Sequence, residues 1–280
     1  MANAASKGPS VRALTVLSVV ALLCLWQLLS LVAGSNQANE HNVPNIVDIA
    51  DSVKKFGYYW QGGLGVQSTE TGGDLTWAGA GLGFAHNSLL TLMRMFAGLF
   101  LGTVVGVGLA VAISWSDLLR GMFALPAHLA RMLPMLALLP LFALWFGSSD
   151  SGAIFFVAFA TFVLIFALTL NAIDRTPPHF AQSARSLGAS PLKTYLTVVV
   201  PSALPQLRSA FLLALGFGWS AVIAAEFLGQ QHGLGQITNL AQYYGQTNIL
   251  AMVALVVVAY AAISYAVARW LLNYLTRWAE

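Results

Sequence analysis

The chain has 280 residues, of which 58% are hydrophobic and 8% charged, with a formal net charge of +3. A soluble domain cannot keep that much apolar surface from water, so this is an integral membrane protein, and so small a positive charge is no nucleic-acid footprint. The single cysteine, Cys24, excludes a disulfide framework or a cysteine metal site within one chain, and no Gly-x-x-x-x-Gly-Lys-Ser/Thr phosphate loop is present to hydrolyse ATP.

In chain order, the first apolar run spans Val11 to Ala33, preceded by Lys7 and Arg12. It meets the roughly 20 residues that a bilayer requires. It also exceeds the ~7–15 residues of a signal-peptide core, so a retained helix is predicted although Ala33-Gly34-Ser35 is rich in small residues. Residues 34–86 are the longest polar stretch, with Glu40, Asp48, Asp51, Glu70 and Asp74 against Lys54 and Lys55. Val43 to Tyr59 predicts a short helix with Asp48, Asp51 and Ser52 on a solvated face. The glycines from Gly62-Gly63 to Gly79, Gly81 and Gly83 predict a loop. Tyr58, Tyr59, Trp60 and Trp77 are read as an interfacial belt in preference to a binding surface.

Asn87 to Ser114 is the second span. Gly98, Gly102 and Gly106 line one face, where a neighbouring backbone can approach closely. Arg94 on this span has a plain reading, snorkelling to the interface, and a sharper one, contact with an anionic solute. Asp117 to Arg120 reads as a short polar turn. The third span starts near Pro126, holds Arg131, Pro134 and Pro140, and ends at Trp145-Phe146-Gly147, which predicts a kinked or interrupted helix. Arg131 is read as an anchor for one end of it. Ser148 to Gly152 turns the chain into the fourth span, Ala153 to Ala172. The fifth runs from Ala210 to Leu228, with Glu226 at its far end; Trp219 and Glu226, seven apart, share a face. Gly229 to Asn248 reads as a loop, and Ile249 to Leu272 is the sixth span, followed by Arg277 and Glu280. The five histidines are scattered without helical ligand spacing, so no metal site is expected, nor a membrane enzyme. No acidic residue sits centrally in a span and the halves do not repeat, which disfavours an ion-coupled secondary transporter.

Between the fourth and fifth spans lies a polar segment, His179 to Pro205. Gly188 suits a helix C-terminus, and Ser190-Pro191 suits an N-cap with proline at the first helical position. Leu187, Leu192, Tyr195 and Leu196 give this charged segment an apolar face, as a docking element for a partner needs. The segment resembles the EAA loop of permease subunits in bacterial ABC importers. That pattern, Glu-Ala-Ala, three residues, Gly, nine residues, hydrophobic-any-Leu-Pro, falls on Gln182, Ser183, Ala184, Gly188, Val198, Val200 and Pro201. The Gly-to-Pro spacing and Ala184 match; Gln182 replaces the carboxylate, Ser183 the second position, and Val200 the leucine. Further on, Arg131-x-x-Pro134, Leu139-Pro140-Leu141-Phe142, Trp145-Phe146-Gly147, Gly216-Phe217-Gly218-Trp219-Ser220, Ala224-Ala225-Glu226 and Gly233-Leu234-Gly235 resemble the nitrate/sulfonate/taurine importer group. The likeness covers most of the chain from Ser88 onward; the loop from about Gln67 to Gly83 is longer than that group's.

The resemblance implies an all-α polytopic membrane protein with about six transmembrane helices. Its parts are a cytoplasmic N-terminus (1–10), a first transmembrane helix (11–33), a periplasmic loop (34–86) and a five-helix permease core (87–280) with a coupling loop at 174–205. It implies a transport subunit of the inner membrane, not an enzyme. ATP and Mg would belong to a cytoplasmic ABC ATPase dimer, and the chain itself would hold no cofactor. The other implied partners are a second permease chain, as a homodimer, a periplasmic or lipid-anchored solute-binding protein, and membrane lipid. Residues expected to contact the ATPase are Gln182, Ser183, Ala184, Arg185, Gly188, Ala189, Ser190, Pro191, Leu192, Lys193, Tyr195 and Pro201. Candidates for the translocation path are Arg94, Arg131, Trp219, Ser220 and Glu226; Glu226 pairs with a base, gates the outer mouth or ends its helix in water. The implied cargo is a small anion such as taurine, an aliphatic sulfonate or nitrate, a heterocyclic vitamin precursor being the alternative. Lys7, Arg12, Arg120, Arg175, Arg185, Lys193, Arg208, Arg269 and Arg277 collect on one side, which the positive-inside rule makes cytoplasmic.

Overall fold

A computed structural model describes residues 11–35 and 40–277. Lys7 and the rest of the 1–10 segment, the side chain of Arg12, and Glu280 lie outside the described residues. Helix α1 covers Val11–Val32, within the first predicted span, and the Trp26 indole N–H donates to the Pro44 carbonyl at 2.7 Å.

Residues 40–76 fold into a cap. Asn45 accepts from the Asp48 N–H at 2.7 Å and starts α2 (Ile46–Asp51), which tightens into a 3-10 turn over Ser52–Tyr59. Ser52, expected on the solvated face, is buried, because the change from 3.6 to about 3 residues per turn rotates it off that face. Helix α3 (Trp77–Ser114) begins at Trp77, well before Asn87, with Thr76 as its N-cap. Of the glycines read as a loop, Gly62 and Gly63 lie in one, whereas Gly79, Gly81 and Gly83 fall in the first turns of α3, where the cap sits close: a Cβ on Gly83 would fall 2.5 Å from the Phe56 carbonyl. Glycine serves here for its missing side chain, not for its backbone freedom.

Ser116 caps α4 (Asp117–Ala130), so Asp117 to Arg120 form a first helical turn and not a free one. Helix α5 (Met135–Phe146) follows at a 99° bend over Arg131–Pro134. Proline removes a backbone donor at that break and again at Pro140, which is the predicted interruption. Ser149 caps α6 (Asp150–Asp174).

The Gly98-Gly102-Gly106 face of α3 packs on α6: added Cβ atoms would meet Val157, Thr161 and Ile165 in that order. Both series ascend, so α3 and α6 run parallel, and the bent α4–α5 pair between them makes a single crossing. Among the described residues, four straight helices are long and apolar enough to span a membrane, and the bent pair supplies a fifth span; α1 adds its 22 residues. Gly102→Val should cost about 1–3 kcal/mol through overpacking, whereas Gly108→Val, which meets nothing within 4 Å, should be silent. Thermal denaturation of the two variants in detergent checks this; equal melting points would mean that the helices do not meet at this seam.

After α6 come α7 (Pro178–Ser186) and α8 (Pro191–Thr194). A single π-helical turn, Tyr195–Val199, joins α8 to α9 (Val200–Gly229). The fifth span therefore begins at Pro191, not Ala210, as one 39-residue helical run. The π turn absorbs the ladder defect made by Pro201, and Pro205 lies inside α9. The predicted loop after α9 contains α10 (Leu234–Tyr243), whose Leu234, Ile237 and Ala241 are fully buried against Phe56 and Ile49 of the cap. Helix α11 (Thr247–Leu275) closes the fold, and the Glu40 carboxylate accepts the Asn248 N–H at its start, at 3.1 Å.

Candidate functional site

The first site element is a polar node buried where α3, α6 and α9 meet below the cap. Asn87, Thr91 and Arg94 stand at i, i+4 and i+7 on α3 and so face one way. Arg94 Nη1 donates to Glu226 Oε1 at 2.7 Å and to the His232 carbonyl at 2.7 Å, while its Nε and Nη2 reach Asp150 Oδ1 at 2.9 and 2.5 Å. The other Glu226 oxygen accepts from the Thr91 hydroxyl and the Gly235 N–H, both at 2.9 Å. Thr91 in turn accepts the Leu234 N–H at 2.9 Å, and Asn87 Oδ1 the Gly233 N–H at 2.7 Å. Glu226 is 0% exposed. It neither ends its helix in water nor leaves Arg94 free to snorkel; burial leaves the Glu226 charge only Arg94 and a shell of oriented dipoles, while Arg94 also holds Asp150.

The loop that closes the node needs glycine at two points. A Cβ on Gly233, which sits at φ +119°, would run into the Glu226 carboxyl, and one on Gly235 into the Ile223 carbonyl. The Gly-Leu-Gly motif thus lets a loop lie flat on a buried carboxylate. Sequence reasoning named Arg94 and Glu226 separately but missed Asn87, Thr91, Asp150 and His232. The i, i+4, i+7 run of polar residues on an apolar helix was the available signal.

His232 touches the His86 ring at 5.8 Å. Burial first, then the His86 and Arg94 charges, hold its pKa below the usual imidazole range, Asp150 pulling weakly the other way. A histidine with a folded-state pKa below its unfolded one costs stability as pH falls, because the unfolded chain then binds the extra proton. Lowering the pH from 7.5 to 5.5 should therefore loosen the 229–235 loop, and His232→Gln should remove most of that dependence. Hydrogen exchange of the loop amides at the two pH values tests it; identical acid sensitivity in both proteins would sink the assignment to His232.

The second element is the loop between α6 and α9. The Ala189 N–H donates to the Ala184 carbonyl at 3.1 Å and Gly188 sits at φ +84°, a left-handed helix stop. Ser190 Oγ accepts the Lys193 N–H at 3.4 Å and starts the next helix. Gln182, Ser183, Arg185, Gly188, Ser190, Pro191, Leu192 and Lys193 are exposed, Ala184, Ala189 and Pro201 partly so. Leu187 is 89% exposed and Leu192 54%, which makes the tip of this loop apolar. Tyr195 departs from the expected apolar docking face. It is buried, its hydroxyl donating to the Val111 carbonyl at 2.7 Å, 2.5 Å from Ser114 Oγ, and its ring at 5.0 Å from Trp115. It pins the loop to α3, because its position beside the π turn aims it at the bundle. An Arg120–Asp174 ion pair holds the other end of the loop.

The third element is a cavity of about 710 Å³ beside the α4–α5 break, lined by Arg131, Pro134, Phe156, Gly216, Phe217 and Ser220 among others. Its walls are apolar apart from Arg131, Ser220 and Tyr265. Of the five path candidates, only Arg131 and Ser220 line it. Trp219 packs α9 on α11, its indole N–H donating to Ser264 Oγ at 2.9 Å and its ring stacked on Tyr260. Helical spacing put Trp219 and Glu226 on one face correctly, and that face is interior. Of the four aromatics read as a belt, Tyr58 and Trp77 are exposed. Trp60 donates to the Val66 carbonyl at 3.1 Å, and Tyr58 and Tyr59 line a polar pocket.

Residues 98–280 match the sequence model of the family described as binding-protein-dependent transport system inner membrane component. The cap and Arg94 precede that match. The chain is 29% identical over 169 residues to the taurine transport system permease protein TauC of Escherichia coli K12, covering 60% of this chain and 62% of that one. It is 34% identical over 125 residues to the putative aliphatic sulfonates transport permease protein SsuC of the same organism, covering 45% of this chain and 48% of that one. The alignments thus span about half to three-fifths of these relatives' length. In fold the chain is similar to an inward-facing MetNI methionine ABC transporter, with TM-score 0.58, 22% identity, and 68% and 95% of the two chains covered. A crystal structure of an amino acid ABC transporter gives TM-score 0.55 and 16% identity, with 69% and 92% covered.

Proposed function

The chain belongs to the family of inner membrane components of binding-protein-dependent transport systems, and on that premise we propose that it is the membrane-spanning permease subunit of an ATP-driven importer for a small anionic solute of the taurine, aliphatic sulfonate or nitrate type. The observation that carries the reading is the 174–200 loop, a charged helix-turn-helix with exposed leucines at its tip. An exposed apolar tip flanked by basic residues fits a groove in a cytoplasmic ATPase, in the helix-in-groove manner. The relatives named for taurine and sulfonates support the cargo class.

In this reading the face bearing the cap is periplasmic and receives solute from a binding protein, while the face bearing the 174–200 loop is cytoplasmic, in keeping with its basic residues. Two copies of the chain enclose the path, each contributing the cavity beside Arg131 and Ser220. ATP binding draws the two loops together, and because α8 and α9 form one rigid run from Pro191 to Gly229, that motion reaches the buried node at the far end of α9. Rocking of the two halves about a midplane site then alternates access. Affinity purification of the tagged chain in mild detergent tests the proposal. A Walker-containing ATPase co-eluting in equal amount supports it; a chain that elutes alone and transports on an ion gradient overturns it.

A further inference from the structure

On the cap side of the molecule a pocket of about 450 Å³ opens between the 40–76 cap and the α9–α11 connection. That volume suits a small ligand. Its chemistry differs from the rest of this basic chain. Tyr58, Tyr59 and Tyr244 supply three phenol rings, Gln236 is one of several carboxamides, and Glu70 is the sole carboxylate in the lining. Among the described residues, no lysine or arginine lines the pocket and Glu70 forms no ion pair. Lys55 is paired with Glu40 at 3.1 Å and Arg94 with Glu226 and Asp150, and Lys54, four positions before Tyr58, is not among the residues that line the pocket. Burial first, then the proximity of His86 and Arg94, lower the pKa of His232 at the pocket's edge. Burial and the neighbouring Tyr244 push Tyr59 up to about 12, so its phenol remains a neutral donor.

A half-open cavity with aromatic walls and one unpaired carboxylate attracts a cation twice, through the ring quadrupoles and through the charge. It offers no counter-charge to an anion. We propose that this pocket is a binding site for a small organic cation bearing an ammonium group, distinct from the path of the anionic cargo. The site is built across two segments, Tyr58, Tyr59 and Glu70 from the cap and His232, Gln236 and Tyr244 from the connection. An occupant would hold the cap against α10, next to the loop that Arg94 and Glu226 anchor.

The test is isothermal titration of the full chain in lipid nanodiscs with choline, and with its neutral isostere 3,3-dimethylbutanol. Saturable choline binding is expected, with the isostere and the Glu70→Gln variant each weaker by about tenfold or more and Tyr244→Ala by about threefold to tenfold. Asp51→Asn, an exposed acid of the cap outside the pocket, should bind choline as the parent does. A flat choline titration, equal binding of the isostere, or undiminished binding by Glu70→Gln would each overturn the proposal. The titration needs neither an ATPase nor a cargo, so its failure would leave the importer reading standing.

Discussion

Arg94→Met is expected to destabilise the chain by about 3–5 kcal/mol, the usual cost of leaving one member of a buried ion pair without its partner. Glu226 would then sit at 0% exposure with only the Thr91 hydroxyl and the Gly235 N–H to solvate it. Glu226→Gln should cost less, because Arg94 keeps Asp150 and the His232 carbonyl. Asp150→Asn should cost least, since its carboxylate is 65% exposed and water already screens it. The double variant Arg94→Met, Glu226→Met should recover most of the loss, because removing both charges removes the desolvation penalty with them. Thermal unfolding of the four proteins in nanodiscs gives the order. Additive losses in the double variant would show that the two residues act independently and that the node is not a clamp. In transport, Glu226→Gln should also change basal ATPase activity of the assembled complex. Unchanged kinetics at several substrate concentrations would make Glu226 purely structural.

The second large effect concerns the loop between α6 and α9. Leu187→Asp or Leu192→Asp should weaken ATPase capture about tenfold to a hundredfold, since burying a leucine is worth about 1.5–3 kcal/mol and each 1.4 kcal/mol is tenfold. Gly188→Val acts by another route. Its φ of +84° lies where a β-branched residue is strained by about 1–2 kcal/mol, so the turn that aims both helices would open. All three variants should insert normally, because these positions are exposed. Tyr195→Phe should behave differently: its hydroxyl bonds are internal, so it should lower the melting point before it lowers ATPase capture. Quantitative co-purification against membrane level separates the two classes. Retention of the ATPase by both leucine variants would mean that the loop tip does not dock.

Much of this was legible in the sequence because the bilayer imposes simple rules. Long apolar runs gave the spans, prolines gave the break before α5, and the Gly98-Gly102-Gly106 face gave a helix contact, each through one local property that needs no partner to be read. The helix-turn-helix between α6 and α9 was legible for a similar reason, since glycine stops and serine-proline starts are local backbone chemistry. Boundaries failed where two local rules competed. Gly79 and Gly83 read as loop but sit in the first turns of α3, Gly233 and Gly235 hid the start of α10, and the polar stretch before Ala210 hid a helical run that begins at Pro191.

What the sequence by itself determined is therefore the class of molecule, the order of its long apolar runs, and the polar helix-turn-helix between two of them. Only the tertiary structure decided that Arg94 and Glu226, 132 positions apart, share one buried ion pair, that Trp219 is core, and that Tyr195 faces inward. The physical reason is one of range. Hydropathy and backbone propensity act over a few residues, whereas a buried charge is tolerated only by whichever distant group folding brings within hydrogen-bond reach, and nothing in its own neighbourhood names that group.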